Sequence, residues 1–152
     1  MTFVESFWLG NPTSGEMTNP SADGSALHGV VESLPELVNR NAALLRRGQH
    51  LYIDILIEIG AVPYCVSIAG GRIARLDRGP LLMRSWTLAF RGPEDAWRQF
   101  WQPLPPPHFH DIFALAKSGR FRIEGDLQPL MANLLYFKEM LAAPRRLAGG
   151  VR

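Results

Sequence analysis

The sequence predicts an α+β fold: a five-stranded, mostly antiparallel sheet with helices packed on one face, enclosing an apolar tunnel. Three observations lead there. First, Leu51, Ile53, Ile55, Ile57 and Ile59 alternate with Tyr52, Asp54, Leu56 and Glu58, which is the period of a strand. Second, Gly60-Ala61 and Gly70-Gly71 punctuate two further short runs, Val62 to Ala69 and Ile73 to Leu76, as a meander requires. Third, Ser85 to Trp101 and Ser118 to Met140 each join a short strand to a helix opened by Gly-Pro-Glu-Asp or Gly-Asp. Runs of strand with helices set to one side form a two-layer domain.

At 152 residues and 47% hydrophobic content, the chain has length for one domain with a sizeable core. No run reaches the ~18 apolar residues of a membrane span. The net charge is +2, and the 14 Arg and 2 Lys are scattered. No nucleic-acid motif accompanies them, so nucleic acid is not an expected partner, while transient contact with an anionic membrane surface is compatible. Cys65 is the only cysteine and sits among Val62, Tyr64, Val66 and Ile68, where a buried, inert thiol is expected. The first basic residue is Arg40 and no apolar targeting segment follows the start, which suggests a cytoplasmic location.

Residues 1–25 read as a flexible N-terminal segment, because 11–25 (NPTSGEMTNPSADGS) offers almost nothing to a core. Within it, Phe3, Val4, Phe7, Trp8 and Leu9 could dock on the domain or on a partner. The domain is expected over 26–145, with a tail at 146–152. Leu27, Val30, Val31, Leu34, Leu37, Val38, Leu44 and Leu45 recur at helical spacing. They predict a helix from about Ala26 to Arg47, or two broken near Pro35, ended by Gly48.

After the meander, a fourth strand is predicted from Pro80 to about Arg91, with Trp86, Leu88 and Phe90 on one face. Pro93 suits the first turn of the next helix, and Glu94 and Asp95 suit its positive end. Trp97, Phe100 and Trp101 form its aromatic face. Pro103 to Pro107 breaks the chain, and a short helix runs from about His110 to Lys117. Arg120 to Glu124 is the fifth strand. Asp126 caps the last helix, whose Leu127, Leu130, Met131, Leu134, Leu135, Tyr136, Phe137, Met140 and Leu141 cover most of its circumference.

Catalytic signals are sparse. His108, His110 and Asp111 are the one cluster resembling a metal or acid–base site, and no third ligand is evident. The alternative is a solvent-facing Pro-rich loop in which His110 or Asp111 caps the next helix. Ala69-Gly70-Gly71-Arg72 lacks the Lys-Ser/Thr of a phosphate loop and reads as a hairpin turn. Asp54 and Glu58, four apart on one strand, stand roughly 13 Å apart, too far to act on one bond. No catalytic residue, metal or cofactor is expected.

The apolar excess is the stronger signal. A last helix that is oily all round needs a cover: a ligand, another subunit, or the N-terminal segment. The expected ligand wall is Trp86, Leu88, Phe90, Phe113, Met131, Leu134, Leu135 and Met140. Phe109, carried on the stiff Pro105-Pro106-Pro107 arm, is expected over the mouth, with His108 and His110 at the solvent edge.

Thr87 to Trp97 (TLAFRGPEDAW) and Ala116 to Leu130 (AKSGRFRIEGDLQPL) resemble the sterol carrier protein type 2 family. Gly119, Phe121, Ile123, Gly125 and Asp126 fall on that family's Gly–basic–apolar–basic–apolar–x–Gly–Asp/Asn pattern. The resemblance covers about Ala26 to Leu141 and is most specific in the last third. It implies a hydrophobic tunnel between sheet and helices that binds fatty acids, acyl-CoA, sterols or phospholipids without chemistry. Two departures stand out. Leu134 replaces a polar Gln that some members use to meet a ligand's polar group, and Gln102–His110 replaces a simpler Gly-containing connection. The expected function is a non-catalytic carrier for a long-chain lipid or acyl ligand. The alternatives are an accessory or homodimerising subunit presenting a lipid to partner enzymes, or a small enzyme using His108, His110 and Asp111.

Overall fold

The computed structural model describes residues 20–148; Phe3 to Leu9, and with them the docking expectation, lie outside the described residues. The elements are α1 (Pro20–Glu32), α2 (Leu34–Asn39), α3 (Ala42–Arg47), β1 (Tyr52–Ile59), β2 (Val62–Ala69), β3 (Arg72–Arg78) and β4 (Leu88–Gly92). They continue with α4 (Glu94–Phe100), α5 (Ile112–Lys117), β5 (Arg122–Gly125), α6 (Gln128–Ala132), α7 (Leu134–Ala142) and α8 (Arg145–Ala148). The sheet has five strands in the order β3-β2-β1-β4-β5. Three neighbouring pairs are antiparallel and the central β1–β4 pair is parallel, so the sheet is mixed but mostly antiparallel, as read.

The alternation in β1 survives into three dimensions. Ile53, Ile55, Ile57 and Ile59 are buried and face Ile68, Val66, Tyr64 and Val62 of β2 on the helix-bearing side. Leu88 and Phe90 of β4 continue that face beside Ile55 and Ile57. Asn39 of α2 fastens the helices to the sheet edge: its amide donates to Ile73 O (3.1 Å) and accepts from Ile73 N (2.9 Å). An edge strand is thereby partly satisfied by a side chain.

The helices differ from expectation in three places. α1 begins at Pro20 and so takes in residues 20–25, which composition alone assigns to the lead-in. The break near Pro35 is present, since Pro35 occupies the first turn of α2, where its missing N–H costs little. A second break follows, because the Asn41 side chain accepts from Leu44 N and starts α3. The last helix is also two pieces. At Asn133 the side chain donates to Pro129 O (3.0 Å), closing α6 before α7 begins.

The parallel β1–β4 pair requires the chain to cross the sheet after β3, and residues 79–87 make that crossing on the face turned away from the helices. Arg84 Nη2 donates to Cys65 Sγ of β2 (3.2 Å) and Nη1 to Asp77 (2.9 Å). Thr87 N donates to Asp54 O of β1 (2.9 Å). This strap explains why Leu56 and Cys65, which point away from the helices, are only 4% and 1% exposed. It also corrects the fourth strand, which starts at Leu88 rather than after Pro80. Trp86 therefore lies outside the strand. Its ring sits 5.4 Å from the Arg91 guanidinium, which bonds Glu58 (2.8 Å), on the face opposite Leu88 and Phe90.

Candidate functional site

Aromatic and aliphatic side chains fill the space between sheet and helices. The Trp97 ring packs at a tilt against Phe121 (centroids 4.5 Å apart) and Trp101 (4.9 Å), and Phe90 meets Phe137 at 6.1 Å. Polar edges of these rings are satisfied by backbone. Trp97 Nε1 donates to Glu58 O (3.0 Å), Trp101 Nε1 to Leu141 O (2.7 Å) and Tyr136 O–H to Gly71 O (2.6 Å). Such rings act as wedges whose orientation is set at one end by a hydrogen bond.

The interior reaches the surface beside α1. A cleft of about 350 Å³ is lined by Ala26, Leu27 and Val30 of α1, Arg98 of α4, and Trp101, Gln102 and Pro103 just beyond it. Leu27 and Trp101 are buried at the cleft wall, Val30 is half-buried, and Gln102 and Pro103 are exposed. Arg98 is weakly paired with Glu94 (3.8 Å). The floor is apolar and the rim carries donors, the pattern of a site for a ligand with an oily body and a polar end.

One buried polar contact ties α1 down. His28 Nδ1 and the Tyr64 hydroxyl of β2 are hydrogen-bonded, and both residues are buried. Burial, reinforced by Arg78, holds the imidazole below its usual pKa, while burial pushes the phenol up to about 12. Both groups stay neutral near pH 7. The sequence carried a signal for this contact, a histidine directly after Leu27 on the apolar side of a helix, but its partner lies 36 residues away.

The nine residues expected at the ligand site, eight in its wall and Phe109 over its mouth, divide into three groups. Leu88, Phe90 and Met140 come together in the core, and Phe109, Phe113 and Leu134 pack against it half-buried. Trp86 is on the other face, as above. Met131 and Leu135 point outward, 58% and 57% exposed. The helix is therefore one-sided after all, with Leu127 (46% exposed) extending an apolar outer strip. The cleft residues Ala26, Val30 and Arg98 were not among those expected, because a groove between two sequence-distant helices leaves no local pattern.

His108 and His110 are exposed, and His108 has a left-handed backbone (φ 74°). Asp111 caps α5, accepting from Phe113 N (3.0 Å), and meets Lys138 Nζ (3.4 Å). The backbone here is clasped by Arg145, which donates to Phe100 O (2.7 Å) and His110 O (2.9 Å). Phe109 lies under the Arg120 guanidinium, 5.8 Å from its ring centre. Among the described residues, no group of three His, Cys, Asp or Glu side chains could hold a metal ion. Cys65 is buried, and burial raises its thiol pKa, consistent with an inert thiol. Among the described residues, no helix is long and apolar enough to cross a membrane.

No family model and no curated protein matches the sequence. Solved structures do match the fold. A conserved hypothetical protein from Thermus thermophilus, described as a possible sterol carrier protein, superposes with TM-score 0.63 at 9% identity, covering 82% of this chain and 90% of its own. Sterol carrier protein 2 superposes with TM-score 0.62 at 9% identity, covering 77% and 94%. A UbiJ-SCP2 ubiquinone synthesis protein gives 0.52 at 14% identity, covering 80% and 92%. With the strand order, the parallel central pair and the helical layer on one face all in place, this chain has the sterol carrier protein 2 fold.

Proposed function

We propose that the chain is a non-catalytic binding or carrier protein for a long apolar ligand, a fatty acid, acyl-CoA or related lipid, in the cytoplasm. The observation that carries this reading is the cleft beside α1, where Leu27, Val30 and Trp101 give an apolar lining and Arg98 and Gln102 stand at the rim. The ligand's chain enters between α1 and α4, and its carboxylate or phosphate meets Arg98. A tunnel then opens by repacking: Met140 is unbranched and adaptable, and Leu88, Phe90, Phe109, Phe113 and Leu134 supply the remaining wall. Each methylene taken from water contributes ~0.8 kcal/mol, so chain length rather than head group dominates affinity.

Native mass spectrometry of the purified chain, with lipid extraction, tests this directly. A co-purifying acyl lipid, or displacement of a fluorescent fatty-acid probe, is the expected result. Val30→Trp, which fills the cleft, should weaken probe uptake at least ~10-fold while the unfolding midpoint holds. An empty protein that also ignores the probe would sink the proposal.

A second reading rests on the outer strip of Leu127, Met131 and Leu135. Such a strip suits a dimer or an accessory subunit that presents a lipid intermediate to a partner enzyme, and a ubiquinone synthesis protein shares the fold. Sedimentation over a range of concentrations separates a monomeric carrier from a dimer, and Met131→Ser/Leu135→Ser should abolish any association seen.

A further inference from the structure

We propose that His28 is an acid-sensitive latch on the cleft: when its ring takes up a proton, α1 lifts from β2 and the opening between α1 and α4 widens. The inference rests on the reading of that cleft as the ligand's entrance and assigns its regulation. Among its described side chains, α1 buries only Leu27, His28 and Val31. Leu27 lines the cleft, and Val30, also in its wall, is half-buried. The His28–Tyr64 contact is the one side-chain hydrogen bond between α1 and the sheet among the described residues, with the two rings 5.6 Å apart. One helix therefore carries a wall of the cleft and, at the next residue, the bond that holds it down. Two aliphatic side chains and a single polar bond are a light attachment beside the ladders that join the strands, so α1 can open without global unfolding.

The charged groups around the ring come from three elements. Arg78 of β3 is the cross-strand partner of Tyr64 and so stands on the same face, Glu94 opens α4, and Glu32 follows one turn later on α1. Arg78 opposes a proton on His28, and the two carboxylates favour one. Burial adds to Arg78 and decides the balance against the charge. In the neutral ring, Nδ1 can accept the Tyr64 proton. In the imidazolium both ring nitrogens are donors, so the hydroxyl must turn its hydrogen into a buried site without that acceptor. Once α1 has lifted, water surrounds the ring and restores its ordinary proton affinity. Protonation therefore pulls the equilibrium toward the lifted helix. The other three histidines, His50, His108 and His110, are exposed and gain nothing of this kind from opening.

Hydrogen exchange of the full chain, read by mass spectrometry and corrected for the intrinsic pH dependence of exchange, follows α1 with no ligand present. From about pH 7.5 to about pH 5 the opening of α1 should rise several-fold, with a ceiling of ~30-fold set by the ordinary pKa of about 6.5 in the lifted helix. β1 and β2 should keep their protection. His28→Gln should abolish the rise, Arg78→Gln should shrink it by removing the repulsion, and His50→Gln should leave it intact. Arg78 is exposed, so its variant decides the matter even where His28→Gln fails to fold. Stopped-flow release of a pyrene-labelled long-chain alcohol, which has no group that titrates in this window, should accelerate by the same factor. A pH-independent α1, or a rise that survives both His28→Gln and Arg78→Gln, overturns the latch. Acid opening of α1 with unchanged release of bound alcohol overturns its control of the cleft. Acid opening in a chain that binds no alcohol at either pH would uphold the latch and remove instead the reading of the cleft as a ligand's entrance.

Discussion

Gly119 and Gly125 both sit on the Gly–x–x–x–x–x–Gly pattern that the chain shares in appearance with sterol carrier proteins, yet the structure asks different things of them. Gly119 has φ 86° and a Cβ built there would meet nothing within 4 Å. Gly125 has φ 101°, and its Cβ would lie 2.2 Å from Thr87 O and 3.2 Å from Leu88 Cα. Those are backbone atoms of the neighbouring strand, so no side chain can swing aside. The same Thr87 O accepts from Asp126 N (2.8 Å), which closes the β5–α6 joint against the start of β4. Gly119→Ala should cost only the backbone penalty of a positive φ, ~1–2 kcal/mol. Gly125→Ala carries that penalty and must also push β5 from β4 by roughly 1 Å. The Asp126–Thr87 bond, worth ~0.5–1.5 kcal/mol, is lost and strand packing loosens, for a total of ~3–4 kcal/mol. At ~3 °C per kcal/mol for a chain of this size, the midpoint should fall ~4 °C for Gly119→Ala and ~10 °C for Gly125→Ala. Thermal and urea unfolding followed by circular dichroism would measure both. Equal losses would show that the clash is irrelevant, and an unperturbed Gly125→Ala would refute the geometry assigned to the β4–β5 joint.

Three further outcomes follow from buried groups. Burial, then Arg78, lowers the His28 pKa against the opposing pull of Glu94 and Glu32, so the unfolded chain takes up a proton first as pH falls. Stability should be full above the unfolded pKa of about 6.5 and decline below it toward the lowered folded value. Urea midpoints should track that window, and His28→Gln should flatten it. Trp101→Phe keeps most of the ring but strips Leu141 O of its 2.7 Å donor, which should cost ~1–3 kcal/mol by urea unfolding, while an effect near zero would mean that water reaches that carbonyl. Cys65 should react with a thiol reagent only as the strap opens, and Arg84→Ala, which removes its cover, should speed labelling ~10-fold or more without a comparable loss of global stability. Labelling equally slow in Arg84→Ala would show that the strap is not the barrier.

Residue types and spacing alone determined four of the five strands and the helix starts near Pro35, Pro93 and Asp111, because these depend on local periods. The β1 alternation, the hairpin glycines, Pro35 in the first turn of α2, Pro93 at the N-cap of α4, and Asp111 as a cap are all properties of a few adjacent residues. The oily last helix was equally legible as composition, but which of its sides is covered was not. Asn133 breaks it by a side-chain bond to Pro129 O, and its outer strip is set by where α6 and α7 lie on the sheet. Trp86 shows the same limit. Alternation in sequence puts it with Leu88 and Phe90, but the chain reaches β4 from the far side of the sheet, and the ring ends on Arg91. The parallel β1–β4 pair, the strap that buries Cys65, the His28–Tyr64 contact and the cleft between α1 and α4 join segments separated by tens of residues. No period within one segment encodes such neighbours; they arise when apolar faces compete for the same interior, and that competition is resolved only in three dimensions.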